Sequence, residues 1–139
     1  MAKLTPSLID SNLWIDFTRA RSPRVLKQFL APYITAPSAA VTEPIMYEVL
    51  RYAADDEVGP LQMQFRVMPM LPTPDDLWEG AAKLGQACRK KGITAGALDL
   101  LIAKVAIHHD AEIITLDIDF AAIAKVCNLR VRLLQRPTP

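Results

Sequence analysis

Two cysteines in 139 residues, Cys88 and Cys127, are too few for a disulfide framework. Both sit in apolar, helix-like patterns, which reads as reduced, buried thiols of a cytosolic protein. Charge of one sign is missing as well. Sixteen Lys and Arg face 15 Asp and Glu, so the overall balance demands no nucleic-acid partner, and only a local patch could serve one. No apolar run reaches the length of a signal-peptide core or a membrane span, so a soluble, cytoplasmic protein with no membrane partner is expected. Repeats, low-complexity tracts and interdomain linkers are absent. No G-x-G-x-x-G follows the first strand-like run, which disfavours a dinucleotide-binding domain. What is present is hydrophobic residue, at 51%. A chain of this length can bury roughly two-thirds of its unfolded surface. One domain over residues 1–135 is expected, with a short disordered Pro-rich tail at 136–139.

Eleven prolines punctuate the chain. The patterning predicts a strand at 7–10, then a short helix from Ser11 through Phe17. Ser22-Pro23 reads as a cap and first-turn proline for a helix bearing Val25, Leu26, Phe29 and Leu30. Tyr33 to Ala36 reads as a second strand ended by Pro37. Thr42-Glu43-Pro44 opens a helix with Ile45, Met46, Val49 and Leu50 at helical spacing, closed by Asp55-Asp56-Glu57 and Gly59-Pro60. A partial helix and a strand near 66–70 follow. Thr73-Pro74-Asp75-Asp76 starts a helix that ends near Lys90 before Lys91-Gly92. Residues 95–109 predict an apolar helix, 112–116 a strand, 119–126 a short helix and 130–134 a last strand. Strands alternating with helices indicate an α/β fold with a parallel sheet flanked by helices.

Two strand-like runs stop at an aspartate: Leu8-Ile9-Asp10 and Ile113-Ile114-Thr115-Leu116-Asp117, with Asp119 close behind. Parallel strands bring such ends to one rim, where ligands collect. Gathered carboxylates need compensation, and a divalent cation is the usual one. Asp99, within Ala97-Leu98-Asp99-Leu100-Leu101, sits in a helix with almost no polar face, and an ionised carboxylate there needs a partner. Either its own helix start or a metal would provide one. Glu48 alone reads first as an intrahelical pair with Arg51 three residues on. Asp10 alone could be an Asx-turn or a helix cap, and Asp117 and Asp119 turn formers.

Taken together, four blocks resemble a PIN domain, and most of all the VapC toxins of type II toxin–antitoxin (VapBC) systems. They are Leu8 to Ile15, Tyr47 to Arg51, Asp99 to Ala103 and Ile114 to Phe120, and the resemblance runs from Leu8 to about Leu134. It implies a single PIN-like domain, an α/β/α sandwich. It also implies a Mg²⁺-dependent endoribonuclease, with Mn²⁺ able to substitute, that cuts RNA phosphodiester bonds by a metal-activated water. The family's acids carry over onto Asp10, Glu48, Asp99 and Asp117 as catalytic residues. Asp10, Asp99, Asp117 and Asp119 are the metal-facing set, with Asp117 and Asp119 both open as the direct ligand. Glu48 would position or deprotonate the water, or hold a second ion. Ser11, Thr115 and Asn12 would support them. Ser11 stands where Thr is more usual, and the interval from Thr115 to Asp119-Phe120 is one residue short.

The resemblance further implies a homodimer and inhibition by a cognate VapB-like antitoxin. For RNA or antitoxin contact, Arg19, Arg21, Arg24 and Lys27 form the candidate patch; Arg89-Lys90-Lys91 reads as a solvated helix end. His108-His109 reads as a cap for carbonyls at a helix C-terminus. Trp14 and Trp78 read as core or interface anchors. The alternatives are a PIN nuclease of RNA processing outside a toxin–antitoxin system and a non-catalytic PIN interaction module. A receiver-like phosphoacceptor domain lacks its paired acid near the first strand and its late lysine.

Overall fold

In a computed structural model of the chain, residues 5–138 are described. Four parallel strands, β1 (Ser7–Ile9), β2 (Ala39–Ala40), β3 (Glu112–Thr115) and β4 (Arg130–Leu133), form one sheet in the order β2-β1-β3-β4. β1 and all but the first residue of β3 are buried, as expected of central parallel strands. β4 is an edge strand whose Arg130 and Arg132 face water, and Arg132 pairs with Glu112 of β3 at 3.2 Å. The chain leaves β1 toward β2 on one side and later returns to place β3 on the other. The switch point therefore lies between β1 and β3, where open α/β sheets bind ligands.

Among the described residues seven helices complete the order: α1 (Ser11–Thr18), α2 (Arg24–Ile34), α3 (Glu43–Tyr52), α4 (Asp55–Arg66), α5 (Leu77–Lys90), α6 (Ala97–His108) and α7 (Asp119–Ile123). The core joins Leu8, Ile9, Ile113 and Ile114 of the sheet to Leu13, Trp14, Leu30, Ile45, Ile102 and Phe120 of the helices. Trp14 meets Phe65 edge to face, with ring centroids 5.1 Å apart. Trp78, by contrast, is 73% exposed and belongs to no core. Cys88 is buried and Cys127 half-buried; both are free thiols, and burial pushes both up. Among the described residues no helix is long and apolar enough to cross a membrane.

Several local features differ from the sequence expectation. Tyr33 and Ile34 are helical, not strand, because Leu26, Leu30 and Ile34 continue one apolar stripe past Pro32. The loss of one backbone donor at Pro32 does not outweigh that burial, and the second strand falls instead at Ala39–Ala40. Asp55-Asp56-Glu57 opens α4 rather than closing α3: three carboxylates lie on the positive end of the helix, and Glu57 Oε1 accepts from the Ala54 amide at 2.7 Å. Ser22 forms no cap, and Pro23 precedes α2. Residues 66–70 give only a single parallel bridge, Val41 to Met70. The His109 ring bonds the Pro72 carbonyl at 2.7 Å, across to the loop before α5 rather than to its own helix. Arg136 is tied down by Asp16 at 2.8 Å.

Candidate active site

Asp10 follows β1 directly and caps α1. Its amide donates to the Ile114 carbonyl at 3.0 Å, which continues the β1–β3 ladder past the strand end. That register sets Asp10 beside Thr115. The Thr115 hydroxyl donates to Asp10 Oδ2 at 2.7 Å, and the Ser11 amide donates to Oδ1 at 2.8 Å. The same hydroxyl accepts from the Asp117 amide at 2.9 Å and from Asn12 Nδ2 at 3.3 Å. Asn12 Oδ1 in turn accepts from the Leu116 amide at 3.3 Å. Thr115, fully buried, thus binds the ends of both strands together.

Glu48, on α3, is engaged through Oε1 by the Ser11 hydroxyl, so its partner is on α1 and not Arg51 of its own helix. Asp99 lies in the first turn of α6. Asp117 follows β3, and its Oδ1 accepts from the Asp119 amide at 2.9 Å, a turn that aims both acids at one point. Ligand oxygens of Asp99, Asp117 and Asp119 lie within 4.8 Å of one another, close enough to share one metal ion. Asp10 stands beside this trio rather than in it.

The start of α1, the first turn of α6 and the first turn of α7 all meet at this rim. Helices that follow or precede parallel strands point their N-termini toward the strands' carboxyl ends, and the positive dipole ends favour anions there. That relief is incomplete. Burial, then the charges of Asp10, Asp117, Glu48 and Asp119, push Asp99 up to about 7 from 3.8. Burial also lifts Asp10 to about 6, against the pull of its bonds to Thr115 and Ser11. The pocket therefore holds more negative charge than its own fold neutralises, and hard oxygen donors at this spacing suit a hard divalent cation.

The sequence-derived acids Asp10, Glu48, Asp99, Asp117 and Asp119 and the supports Ser11, Asn12 and Thr115 all converge here. The basic residues do not. Arg19 caps the far end of α1, about 12 Å of helix from Asp10, and Arg21, Arg24 and Lys27 follow in the turn and the first turn of α2. Missed in the sequence was Arg51, whose guanidinium stacks on Tyr47 and Tyr52. The Tyr–x₃–Arg-Tyr spacing on one helix was the available signal.

The PIN-domain family model matches residues 7–126. A VapC ribonuclease of Mycobacterium bovis and ribonuclease VapC11 of Mycobacterium tuberculosis are each 33% identical to this chain over 129 residues, covering 88% of it and 95% of the relative. In fold, the chain is similar to one in the crystal structure of VapBC2 from Rickettsia felis bound to a DNA fragment from their promoter. There the TM-score is 0.68 at 16% identity, over 94% of this chain and 100% of that one. With its parallel sheet, its acid-lined rim and these matches over most of its length, the chain belongs to the PIN-domain family, among the VapC proteins.

Proposed function

We propose that this protein is a VapC-type toxin: a divalent-metal-dependent endoribonuclease of the cytoplasm, held in check by a VapB-like antitoxin. The observation that carries the reading is the convergence of five acids from separate elements on one rim, three of them within reach of a single ion. The 33% identity to named VapC ribonucleases supports RNA as the substrate class, and the VapBC complexes among its fold relatives support an antitoxin partner.

Asp99, Asp117 and Asp119 would hold Mg²⁺ or Mn²⁺, with Asp10 beside them as a further oxygen donor. A divalent ion bound there would supply charge for the phosphate and acidify the attacking water. The chain's own residues do the positioning. Thr115 fixes Asp10 and the Asp117 backbone together. Ser11 engages Glu48 through one oxygen, which leaves Oε2 to orient a water and accept its proton. Asn12 holds the loop at Leu116 in place. The protein is expected to act as a homodimer, which sedimentation would test.

The deciding assay uses labelled RNA with the purified protein in Mg²⁺ or Mn²⁺, in EDTA, and with Asp10→Asn or Asp99→Asn. Metal-dependent cutting that each substitution lowers by at least 100-fold is expected. Full cutting by both variants, or none by the parent in either metal, sinks the nuclease reading. Growth arrest on induction, relieved by a co-expressed partner, tests the toxin role.

A further inference from the structure

α1 and α3 run side by side away from the acid pocket. Ser11 meets Glu48 at the pocket, and further out Ile15, Thr18 and Arg19 line a crevice with Val49, Tyr52 and Ala53. Around Glu48 on α3, from Tyr47 just before it to Tyr52 about 6 Å beyond it along the axis, the surface changes character. Arg51 lies between two tyrosines, its Cζ 5.6 Å from the Tyr47 ring centroid and 4.6 Å from that of Tyr52. One guanidinium nitrogen donates to the Tyr52 hydroxyl at 3.1 Å. Both rings are more than half exposed, at 58% and 61%. Tyr52 then forms the wall of a cleft of about 490 Å³ shared with Arg19 and Arg21.

The two exposed rings give flat apolar faces at the surface, and the cation–π contacts order the Arg51 guanidinium against them before any partner arrives. Among the described residues, Arg19, Arg21 and Arg51 enter no salt bridge. Asp56 and Glu57 also line the cleft, and Glu57 is engaged by the Ala54 amide. Exposed rings for bases, with cations beside them for phosphates, are the two components of a single-strand nucleic-acid platform.

Resting on the nuclease reading for its location, we propose that Tyr47, Arg51 and Tyr52 form a stacking subsite for single-stranded RNA. It binds the nucleotides next to the scissile phosphate and hands the strand on to Arg19 and Arg21. Arg51 contacts a phosphate, and the tyrosines stack bases without reading their edges. The site therefore sets affinity for unpaired strands more than sequence.

The test is binding of a fluorescein-labelled, single-stranded oligoribonucleotide by anisotropy, in EDTA, with Asp99→Asn as background so that no cutting intervenes. Salt-dependent binding is expected. Tyr47→Ala and Tyr52→Ala should each weaken it roughly 5- to 100-fold, and Tyr52→Phe should retain most of it. Arg51→Gln should lower the salt slope by about 0.7. A hairpin duplex of equal length should bind more weakly than the single strand. If the parent cuts RNA with metal yet the tyrosine and Arg51 variants bind the probe unchanged, the subsite is refuted and the nuclease reading stands. If the parent cuts nothing but these variants show the graded loss, the subsite stands and the nuclease reading falls. A sedimentation dimer that Tyr47→Ala dissociates, with probe binding unchanged, would assign the face to a second copy of the chain and overturn the proposal.

Discussion

Replacing Asp99 by Asn removes one charge from the acid pocket and almost no volume. Asp99 rises from 3.8 to about 7, and every cause of that rise, burial first and then the four neighbouring acids, acts in the same direction. The folded protein therefore binds this proton more tightly than the unfolded chain does. Stability contributed by the site is highest below pH 4, falls as pH rises from there to about 7, and is constant above. At ~1.4 kcal/mol per pKa unit a fully buried group would cost about 4 kcal/mol at pH 8. Asp99 is only half-buried, and solvent screening brings this to roughly 1–2 kcal/mol. Asp99→Asn should then raise the melting temperature of the metal-free protein at pH 8 by roughly 3–6 °C. The gain should vanish near pH 4. With metal present the order reverses: the parent gains about 2.7 kcal/mol at 100 times its dissociation constant, and the variant gains little. Scanning calorimetry in EDTA and in 10-fold steps of Mg²⁺ or Mn²⁺, at about pH 4, 6 and 8, measures all of this, with Asp55→Asn as an exposed control. A variant that melts at or below the parent in EDTA at pH 8 would refute the electrostatic reasoning. So would a parent whose stability does not fall between pH 4 and pH 7.

Thr115→Val strips a buried hydroxyl that serves Asp10, Asn12 and the Asp117 amide at once. It should cost about 1–3 kcal/mol in urea unfolding and lower RNA cutting, while Thr115→Ser retains both. Trp14→Ala should cost about 3–5 kcal/mol, since Trp14 is 1% exposed and packs on Phe65. Trp14→Phe should cost much less, because among the described residues the indole nitrogen has no hydrogen-bond partner to lose; denaturant midpoints compare the two. Gly92 follows α5 with φ at 71° and open space around its α-carbon, so Gly92→Ala should lose about 1 kcal/mol through backbone strain alone. Gly92→Asn should recover part of that loss in the same melting series.

Much of the architecture was legible in the chain because its signals are local. Apolar runs ended by Asp10 and Asp117, the Thr42-Glu43-Pro44 start of α3 and the Lys91-Gly92 stop of α5 each act within a few residues. The local signals failed where two of them conflicted. Tyr33-Ile34 suits a strand by composition, yet the stripe from Leu26 through Leu30 extends the helix over it. Asp55-Asp56-Glu57 can end one helix or begin another, and only the packing of Leu61 and Phe65 into the core decides for α4.

Composition and residue order establish which acids are present, and their types in that order already pointed to a PIN-domain pocket. Distance was outside its reach. That Asp99, Asp117 and Asp119 approach within 4.8 Å while Asp10 stands beside them depends on the β1–β3 register and on the turn after Asp117. Glu48 illustrates the difference. Along the helix its nearest opposite charge is Arg51, but in the fold it turns to Ser11, and Arg51 is left to the tyrosines. Residues far apart in a chain acquire partners only through the packing of strands and helices, and the chemistry of this site depends on those long-range contacts.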